Sequence, residues 1–278
     1  MDTKDRKVAR RKEKVERMIR EQRAEFDALH ADLAGKVDTP YSGRRGIMIL
    51  NNITAKLVAI AVILLVLPTT VSSAPLAIYT EVISVEGEDT TGSLRLPNVL
   101  GISDVILSKS VNLQLHYPVI KWAQEFVESA RLDYQYYQQE DSAFSWRVYD
   151  FQSGYEVRLN NEEHFSITQF IYQYTGGAHG MSYLRSLNVN LLDGKIIPSL
   201  EQLEILPEYQ DIILAAIQAQ MVAEPHLYFD ITVDYIHEES FYLTQDGVVV
   251  YYQLYEIAPY SSGIPQFLVP WEVLGKDV

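Results

Sequence analysis

One apolar segment divides this chain into two parts of opposite charge. Residues 57–67 are eleven apolar residues in succession, followed by Pro68. Residues 1–45 carry 13 Lys and Arg against 9 Asp and Glu, a net charge of +4. Residues 75–278 carry 9 against 28, a net charge of −19. A basic head and an acidic body on either side of an apolar segment indicate a chain that meets a membrane.

The apolar segment has two interpretations. A membrane span needs about 20 apolar residues, and residues 46–74 reach that length if Asn51, Asn52 and Lys56 are tolerated within them. The first interpretation is a single transmembrane anchor with the basic head in the cytoplasm, as the positive-inside rule favours. The second is a signal peptide, with a charged start, a short apolar middle and small residues at its exit.

A cleavage site is predicted at the end of this segment. Val71 and Ser73 are small enough for the −3 and −1 positions of signal-peptidase cleavage before Ala74. The anchor and the signal peptide both place residues 75–278 outside the cytoplasmic membrane.

The basic head is predicted to be one charged helix on the cytoplasmic side. Apolar residues recur on one face of residues 4–34 at spacings of three, four or seven. Translation from Met48 is an alternative start for the chain, and it would leave an ordinary signal peptide without the head.

The acidic body is predicted to have an α+β fold of two small mixed modules, residues 75–182 and 183–278. In the first, Ser103 is expected to cap a helix from Asp104, and Pro118 to end it and begin a second helix that runs to about Tyr137. Strands are expected at residues 145–151, 155–160 and 165–174.

The second module is predicted from similar signals. A strand over residues 184–192 precedes an Asp193-Gly194 turn, and Ser199 with Gln202 resembles a capping box. A helix is expected over residues 208–221, and a hairpin over residues 241–254 turns at Asp246-Gly247. The elements do not alternate as regular βαβ units, which favours α+β.

Composition and motifs exclude several kinds of function. The chain has no Cys, which excludes disulfides, thiolate zinc sites and a cysteine nucleophile. Its net charge of −14 disfavours nucleic-acid binding, because phosphate contacts need Lys and Arg. No hydrolase, nucleotide-binding or zinc-protease motif occurs, and the six His include no pair at ligand spacing. We therefore expect a protein that is not an enzyme and has no cofactor or metal.

Two stretches are the best candidates for partner binding. The first, residues 172–180, ends a strand in adjacent glycines that permit a tight reversal. The second, residues 251–265, places tyrosines before a loop rich in Pro, Gly and Ser. A purely structural role for both is the alternative. The candidate residues are Tyr174, Gly176, Gly177, His179, Tyr255, Pro259 and Tyr260.

At these stretches the chain resembles the RsiV family. The family pattern Y-x-Y-T-G-G-A-H is matched by residues 172–179, and Y-E-I-A-P-Y by residues 255–260. The resemblance covers roughly residues 80–275. It implies an exported module like the N-terminal part of the deacetylase PdaC, followed by a C-terminal domain of unknown function. The HYP sequence at residues 116–118 departs from the family, in which a helix usually runs through this place.

The resemblance also implies a function. The family's namesake is a membrane-bound bacterial anti-sigma factor whose external domain senses lysozyme and whose cytoplasmic segment holds a sigma factor. An acidic body suits a basic partner such as lysozyme, because opposite charges steer association. The alternative is an exported envelope protein that binds glycan or lysozyme without signalling. The expected partners are therefore lysozyme or another basic envelope protein, a sigma factor and the membrane, with no nucleic acid.

Overall fold

The acidic body folds into two β-sheets, and one α-helix packs against each. In the computed structural model the described residues are 76–139 and 145–276, together with Ala24 and Ala28. Within these ranges two α-helices and two sheets form a mixed α/β fold, as the sequence predicts at that level. None of the helices in these ranges is long and apolar enough to cross a membrane.

The elements follow one another along the chain without a regular βαβ repeat. The strands and helices are β1 Ala77–Glu86, β2 Thr90–Leu100, α1 Val105–Gln139, β3 Tyr149–Asn160, β4 His164–Tyr174, β5 Met181–Asn190, β6 Lys195–Ile197, α2 Tyr209–Ala223, β7 Phe241–Leu243, β8 Gly247–Tyr251 and β9 Gln266–Pro270. Short 3-10 helices lie at Leu200–Gln202, Pro225–Leu227, Tyr260–Ser262 and Trp271–Leu274.

The larger sheet has six strands in the order β1-β2-β3-β4-β5-β6. Only β2 and β3 run parallel among these neighbours, and α1 connects them. Helix α1 packs against the sheet through apolar side chains that include Leu96, Val119, Ile120, Phe126 and Phe151. Full burial of a side chain of this size stabilises the fold by roughly 1.5–3 kcal/mol. The regions predicted as two strands, 145–151 and 155–160, belong to one strand, β3, which begins only at Tyr149, so the first predicted strand starts four residues too early.

Helix α1 corrects two predictions. Asp104, and not Ser103, caps the helix, because Asp104 Oδ1 accepts hydrogen bonds from the N–H groups of Ile106 at 2.7 Å and Leu107 at 3.0 Å. The predicted break at Pro118 is also wrong, since α1 continues through it. A proline has no N–H, so the carbonyl of residue 114 loses its helical partner.

A side chain from the sheet replaces that lost partner. Arg185 on β5 donates from Nη1 to the carbonyl oxygen of Gln114 at 3.0 Å. The next carbonyl, of Leu115, accepts a hydrogen bond from Gln169 Nε2 at 3.0 Å. These bonds offset the cost of a proline in the middle of the helix, so tertiary contacts outweigh the local signal.

The smaller sheet has three antiparallel strands in the order β7-β8-β9, with α2 packed against it. Ile213, Ile217 and Met221 recur every four residues and form the buried face of α2. The predicted helix over 208–221 is confirmed within two residues at each end. Beneath it, Phe241, Tyr252 and Phe267 belong to the same core and are almost fully buried.

The predicted hairpin forms, whereas the predicted capping box does not. Strands β7 and β8 pair, and the N–H of Gly247 donates to Thr244 Oγ1 at 3.1 Å in the turn. Ser199 precedes the 3-10 helix Leu200–Gln202 without a side-chain capping bond, and its buried hydroxyl has no hydrogen-bond partner. The Ser199–Gln202 prediction is therefore wrong.

Buried polar side chains fasten the two sheets together. Asn188 Nδ2 donates to the carbonyl of Phe241 at 3.0 Å, and the N–H of Leu243 donates to Ser166 Oγ at 3.0 Å. Ser166 Oγ in turn donates to Asn188 Oδ1 at 2.7 Å. We call this group, Ser166 and Asn188 with the backbone of β7, the junction.

The predicted module boundary between residues 182 and 183 falls inside β5, which pairs with β4 along its whole length. Strand β6 extends the same sheet, so residues 181–197 lie in the larger sheet. How the chain divides into independently folding modules stays a prediction.

Several sequence predictions lie outside the described residues. They are the membrane or signal segment over 46–74 with its cleavage site at Val71, Ser73 and Ala74, and most of the charged head over 1–45. Within the head, Ala24 and Ala28 are described, and both are helical.

Candidate functional site

The first predicted stretch is a turn at the end of β4. Gly176 has a φ of +81°, which favours glycine, and the carbonyls of Gly176 and Gly177 accept hydrogen bonds from Arg147 Nη1 at 3.1 and 3.2 Å. Tyr174 OH also donates to the Gly177 carbonyl, at 3.1 Å. These contacts fix the turn so that the exposed side chain of His179 is presented at its end.

The second stretch is a loop between β8 and β9. Tyr255 adopts a φ of +69°, the only positive φ of a non-glycine residue in the described ranges. Such a conformation costs about 1–3 kcal/mol and persists only where the surroundings enforce it. Pro259 then leads into the 3-10 helix Tyr260–Ser262, which ends at Gly263 with a φ of +71°.

The carboxylate of Glu256 holds this loop in place through contacts with three neighbouring residues. Glu256 Oε2 accepts a hydrogen bond from the N–H of Gln253 at 2.7 Å. Glu256 Oε1 lies 2.5 Å from His237 Nε2 and accepts a hydrogen bond from Tyr235 OH at 3.1 Å. Burial, together with the Glu256 carboxylate, raises the pKa of the Tyr235 phenol. The residue that follows Tyr255 is therefore held by a network of polar bonds.

The two stretches meet in space. The rings of His179 and Tyr260 are stacked with centroids 4.1 Å apart and planes 28° apart. Tyr255 OH lies 3.2 Å from His179 Nε2, and the rings of Tyr255 and Tyr260 are 5.7 Å apart. We call His179, Tyr255 and Tyr260 the aromatic cluster. Tyr255 is 43% exposed and Tyr260 is 37% exposed, so the cluster offers aromatic surface to solvent.

The seven partner-binding candidates thus take different places. Three of them form the aromatic cluster, while Tyr174, Gly176 and Gly177 shape the turn that carries His179. Pro259, partly buried, precedes the 3-10 helix that carries Tyr260. Their role in binding a partner stays a prediction.

Sequence reasoning missed the residues that hold these loops in place. Arg147 has no local signal, because it acts on a turn 29 residues further along the chain. Gln253 pairs with both backbone groups of Leu184, accepting from its N–H at 3.0 Å and donating to its carbonyl at 2.7 Å. That pair ties the second loop to the edge of β5. Neither contact follows from the spacing of residues in the sequence.

A second surface lies along the C-terminal half of α1. A groove of about 440 Å³ is lined by Trp122, Phe126 and Tyr149, with the carboxylates of Glu125 and Asp133 at its edge. Tyr149 OH donates to Asp133 Oδ2 at 3.0 Å, and burial raises the pKa of Tyr149 to about 12. Aromatic rings beside carboxylates are surfaces on which sugars and cations can pack. We call this surface the aromatic groove.

No group of three or more potential metal-ligating His, Cys, Asp or Glu side chains occurs in the part of the chain that the structure describes.

The fold and these surfaces define a mixed α/β protein of two docked sheets. Loops from both sheets together expose an aromatic surface to solvent. Residues 84–182 match the family model described as deacetylase PdaC, and residues 203–272 match a protein family of unknown function, DUF3298. A PdaC domain and a DUF3298 domain are therefore present. No curated protein matches the chain significantly.

Solved structures share the fold. A DUF3298-family protein from Bacteroides fragilis superposes with a TM-score of 0.57 at 20% identity, over 73% of this chain and 94% of that one. A DUF3298-family protein from Pseudomonas aeruginosa gives a TM-score of 0.50 at 17% identity over the same shares of the two chains. At these identities the likeness establishes the fold alone.

Proposed function

We propose that the chain is a membrane-anchored envelope sensor of the RsiV type, whose external body binds lysozyme or another basic envelope protein. The PdaC and DUF3298 domains suggest an extracellular or envelope protein. The observation that carries the proposal is the aromatic cluster, in which two stretches separated by 76 residues, both singled out by the sequence, contact each other. Exposed tyrosines on a rigid support lose little conformational entropy on binding.

The charge of the body supports the same partner. Residues 75–278 carry a net charge of −19, and a strongly acidic surface accelerates association with a basic protein. In this proposal the charge steers the partner and the aromatic cluster provides the specific contact. The proposed role is binding and not catalysis.

A titration with matched variants tests the binding proposal. Lysozyme is titrated against the full-length chain, its Tyr260→Ala variant and its Tyr79→Ala variant. Tyr79 is 48% exposed on β1, at the opposite edge of the larger sheet from β5, and serves as the control. Truncation of an anchoring tyrosine is expected to weaken binding by about 5–30-fold, while Tyr79→Ala leaves the affinity unchanged. If the unmutated chain does not bind lysozyme even at low salt, the proposed partner is wrong.

The proposed topology places residues 1–45 in the cytoplasm, with a sigma factor bound there, and the body outside, joined by a segment that is cleaved before Ala74. The basic head and acidic body support this arrangement. Reporter fusions at Gly35 and in the exposed turn at Asp193 test it, and a cytoplasmic signal from both positions would contradict it. Mass spectrometry of the mature N-terminus tests the cleavage site.

The second candidate function is an exported envelope protein that binds glycan without signalling. The aromatic groove favours it, because Trp122 and Tyr149 line it together with Asp133, whose carboxylate accepts a hydrogen bond from Tyr149 OH. Titration with a chitin oligosaccharide distinguishes the two functions: a Trp122→Ala variant that loses glycan binding but keeps lysozyme binding supports glycan recognition by the groove. The presence or absence of a sigma-factor gene beside the coding gene separates signalling from simple binding.

A further inference from the structure

A cleft of about 480 Å³ lies between the two sheets, apart from the aromatic cluster and the aromatic groove. One wall of the cleft is formed by β5, β6 and Gln114 of α1. The segment before β7 and the end of β8 form the other. Its polar lining includes Arg185, Ser186, Ser240 and Tyr251. Clefts between packed domains that hold a few convergent polar groups are the usual place for small ligands.

Arg185 is the cation of this cleft, and its observed partners are neutral. Its Nη1 atom donates to the carbonyl of Gln114 at 3.0 Å and to Gln169 Oε1 at 2.6 Å. Within the described residues, no carboxylate forms an ion pair with it. Burial lowers the pKa of Arg185, yet a guanidinium remains protonated at neutral pH.

Part of the guanidinium remains available to a ligand. A guanidinium has five N–H donors in a planar fork, and the two bonds from Nη1 account for the hydrogens of that atom alone. Among the described residues, neither Nε nor Nη2 takes part in a hydrogen bond. Arg185 is partly buried, and Nε and Nη2 are not among the fully buried unpaired atoms of the described residues, so an anion can reach these donors.

Two hydroxyl groups line the same cleft from the opposite face of β5. Ser186 Oγ and Tyr251 OH are 3.3 Å apart, and both residues line the cleft. Burial raises the pKa of Tyr251, so its phenol is a neutral hydrogen-bond donor at pH 7. The planar fork of Arg185 matches the two oxygens of one carboxylate, and the two hydroxyls add neutral polar lining to the cleft.

We propose that this cleft binds a short peptide with a free carboxylate, with Arg185 as the counter-ion of that carboxylate and the hydroxyls of Ser186 and Tyr251 as neutral hydrogen-bonding groups for other parts of the peptide. The exposed carboxylate of Glu239 also lines the cleft, and together with the acidic body it disfavours a dianion such as phosphate. The inference goes beyond the proposed sensing function and does not rest on it. Wall peptides end in D-amino acids and proteins end in L-amino acids, so stereochemistry separates the two sources of such a carboxylate.

Calorimetric titration of the full-length chain tests the proposal directly. The probes are N-acetyl-D-alanyl-D-alanine, its L,L isomer, the C-terminal amide of each, and inorganic phosphate. At least one free acid is expected to bind about tenfold or more tightly than its amide, because the charge-assisted bonds to Arg185 are lost with the carboxylate. The preferred isomer identifies the source. Equal affinity for acid and amide, binding of phosphate alone, or no saturable binding of either acid would overturn the proposal.

Variants then assign the effect to this cleft. Arg185→Gln is expected to abolish the preference for the acid over the amide, and Ser186→Ala to weaken acid binding by about two- to fivefold. Arg131→Gln removes an exposed arginine that pairs with Glu128 and is the matched control, with unchanged binding. If Arg185→Gln does not fold, Arg185→Lys keeps the charge but not the fork, and it should reduce the preference without removing it. An acid preference that survives in every folded Arg185 and Ser186 variant would contradict the assignment.

Discussion

The aromatic cluster and the Arg185 cleft are both built where the larger sheet meets the smaller one, yet they differ in almost every physical property. The cluster is exposed and aromatic, and its stacked rings come from two sequence motifs. The cleft is recessed and holds the guanidinium of Arg185, and its residues come from elements whose spacing carries no motif. The region where the two sheets meet thus carries both the surface that we propose binds a protein partner and the cleft that we propose binds a carboxylate. The difference teaches that local sequence patterns reveal exposed loops more readily than cavities formed between elements.

Disruption of the junction is expected to have the largest effect, because it should weaken both surfaces at once. Asn188→Ala removes the donor to Phe241 and the acceptor of Ser166, and it leaves buried polar groups unpaired. We expect a loss of about 2–4 kcal/mol in the free energy of unfolding, measured by urea denaturation, together with weaker binding at both surfaces. Asn190→Ala, which removes only an exposed turn contact to Leu192 and Asp193, is the control and should cost about 1 kcal/mol or less. Full stability of Asn188→Ala would show that the sheets do not depend on this network.

Replacement of Pro118 should alter the surroundings of Arg185 and leave the aromatic cluster unchanged. Pro118→Ala restores an N–H that competes with Arg185 for the carbonyl of Gln114. Because proline inside a helix costs about 3 kcal/mol relative to alanine and Arg185 already offsets part of this, we expect a net gain of about 1–2 kcal/mol in stability. Thermal and urea unfolding measure the gain, and lysozyme binding at the aromatic cluster should be unaffected. A loss of stability would mean that the Arg185 bond is worth more than the helical bond.

Ionic strength should distinguish the charge of the body from the contacts of the cluster. Raising salt from about 10 to 150 mM shortens the Debye length from about 30 to about 8 Å, so the association rate with lysozyme should fall by roughly tenfold. Tyr260→Ala is expected to show the same salt dependence and a faster dissociation rate, because it removes a contact and not a charge. Stopped-flow and surface-binding kinetics measure the two rates. An association rate that is independent of salt would rule out electrostatic steering.

The smallest expected effect concerns the pH dependence of the fold, at a residue distant from the aromatic cluster. Burial lowers the pKa of His164 at the start of β4, with the positive charge of Lys276 as a second cause. The unfolded chain therefore takes up a proton near the ordinary histidine pKa of about 6.5 before the folded chain does. Stability should fall as the pH drops below that value, and His164→Gln should flatten the decline. Urea midpoints measured from pH 7.5 to 5.5 test this; an unchanged slope in the variant would assign the pH dependence elsewhere.

Much of the fold was predictable, and the misses have physical causes. The strands around residues 165–174, helix α2 and the Asp246-Gly247 hairpin follow from local periodicity and turn chemistry. The continuation of α1 through Pro118 does not, because its compensating bond comes from Arg185, 67 residues further along the chain. Ser199 resembles a capping residue, yet its hydroxyl makes no capping bond in the structure.

The candidate site was predictable in its parts and not in its assembly. Adjacent glycines and a tyrosine-rich loop mark Gly176, Gly177, Tyr255 and Tyr260 as candidates. That His179 stacks on Tyr260 depends on how β4 and β5 lie against the loop after β8, which is a property of the packed sheets. Arg147, Gln253 and the cleft around Arg185 were missed for the same reason.

The central claim is that two stretches distant in the sequence form one partner-binding surface. Hydrogen–deuterium exchange of the full-length chain, with and without saturating lysozyme, tests it most directly. The account predicts increased protection of backbone amides in both residues 175–180 and residues 255–263, with no change around Trp122 and Tyr149 in the aromatic groove. Protection of only one stretch, or protection confined to the aromatic groove, would contradict it.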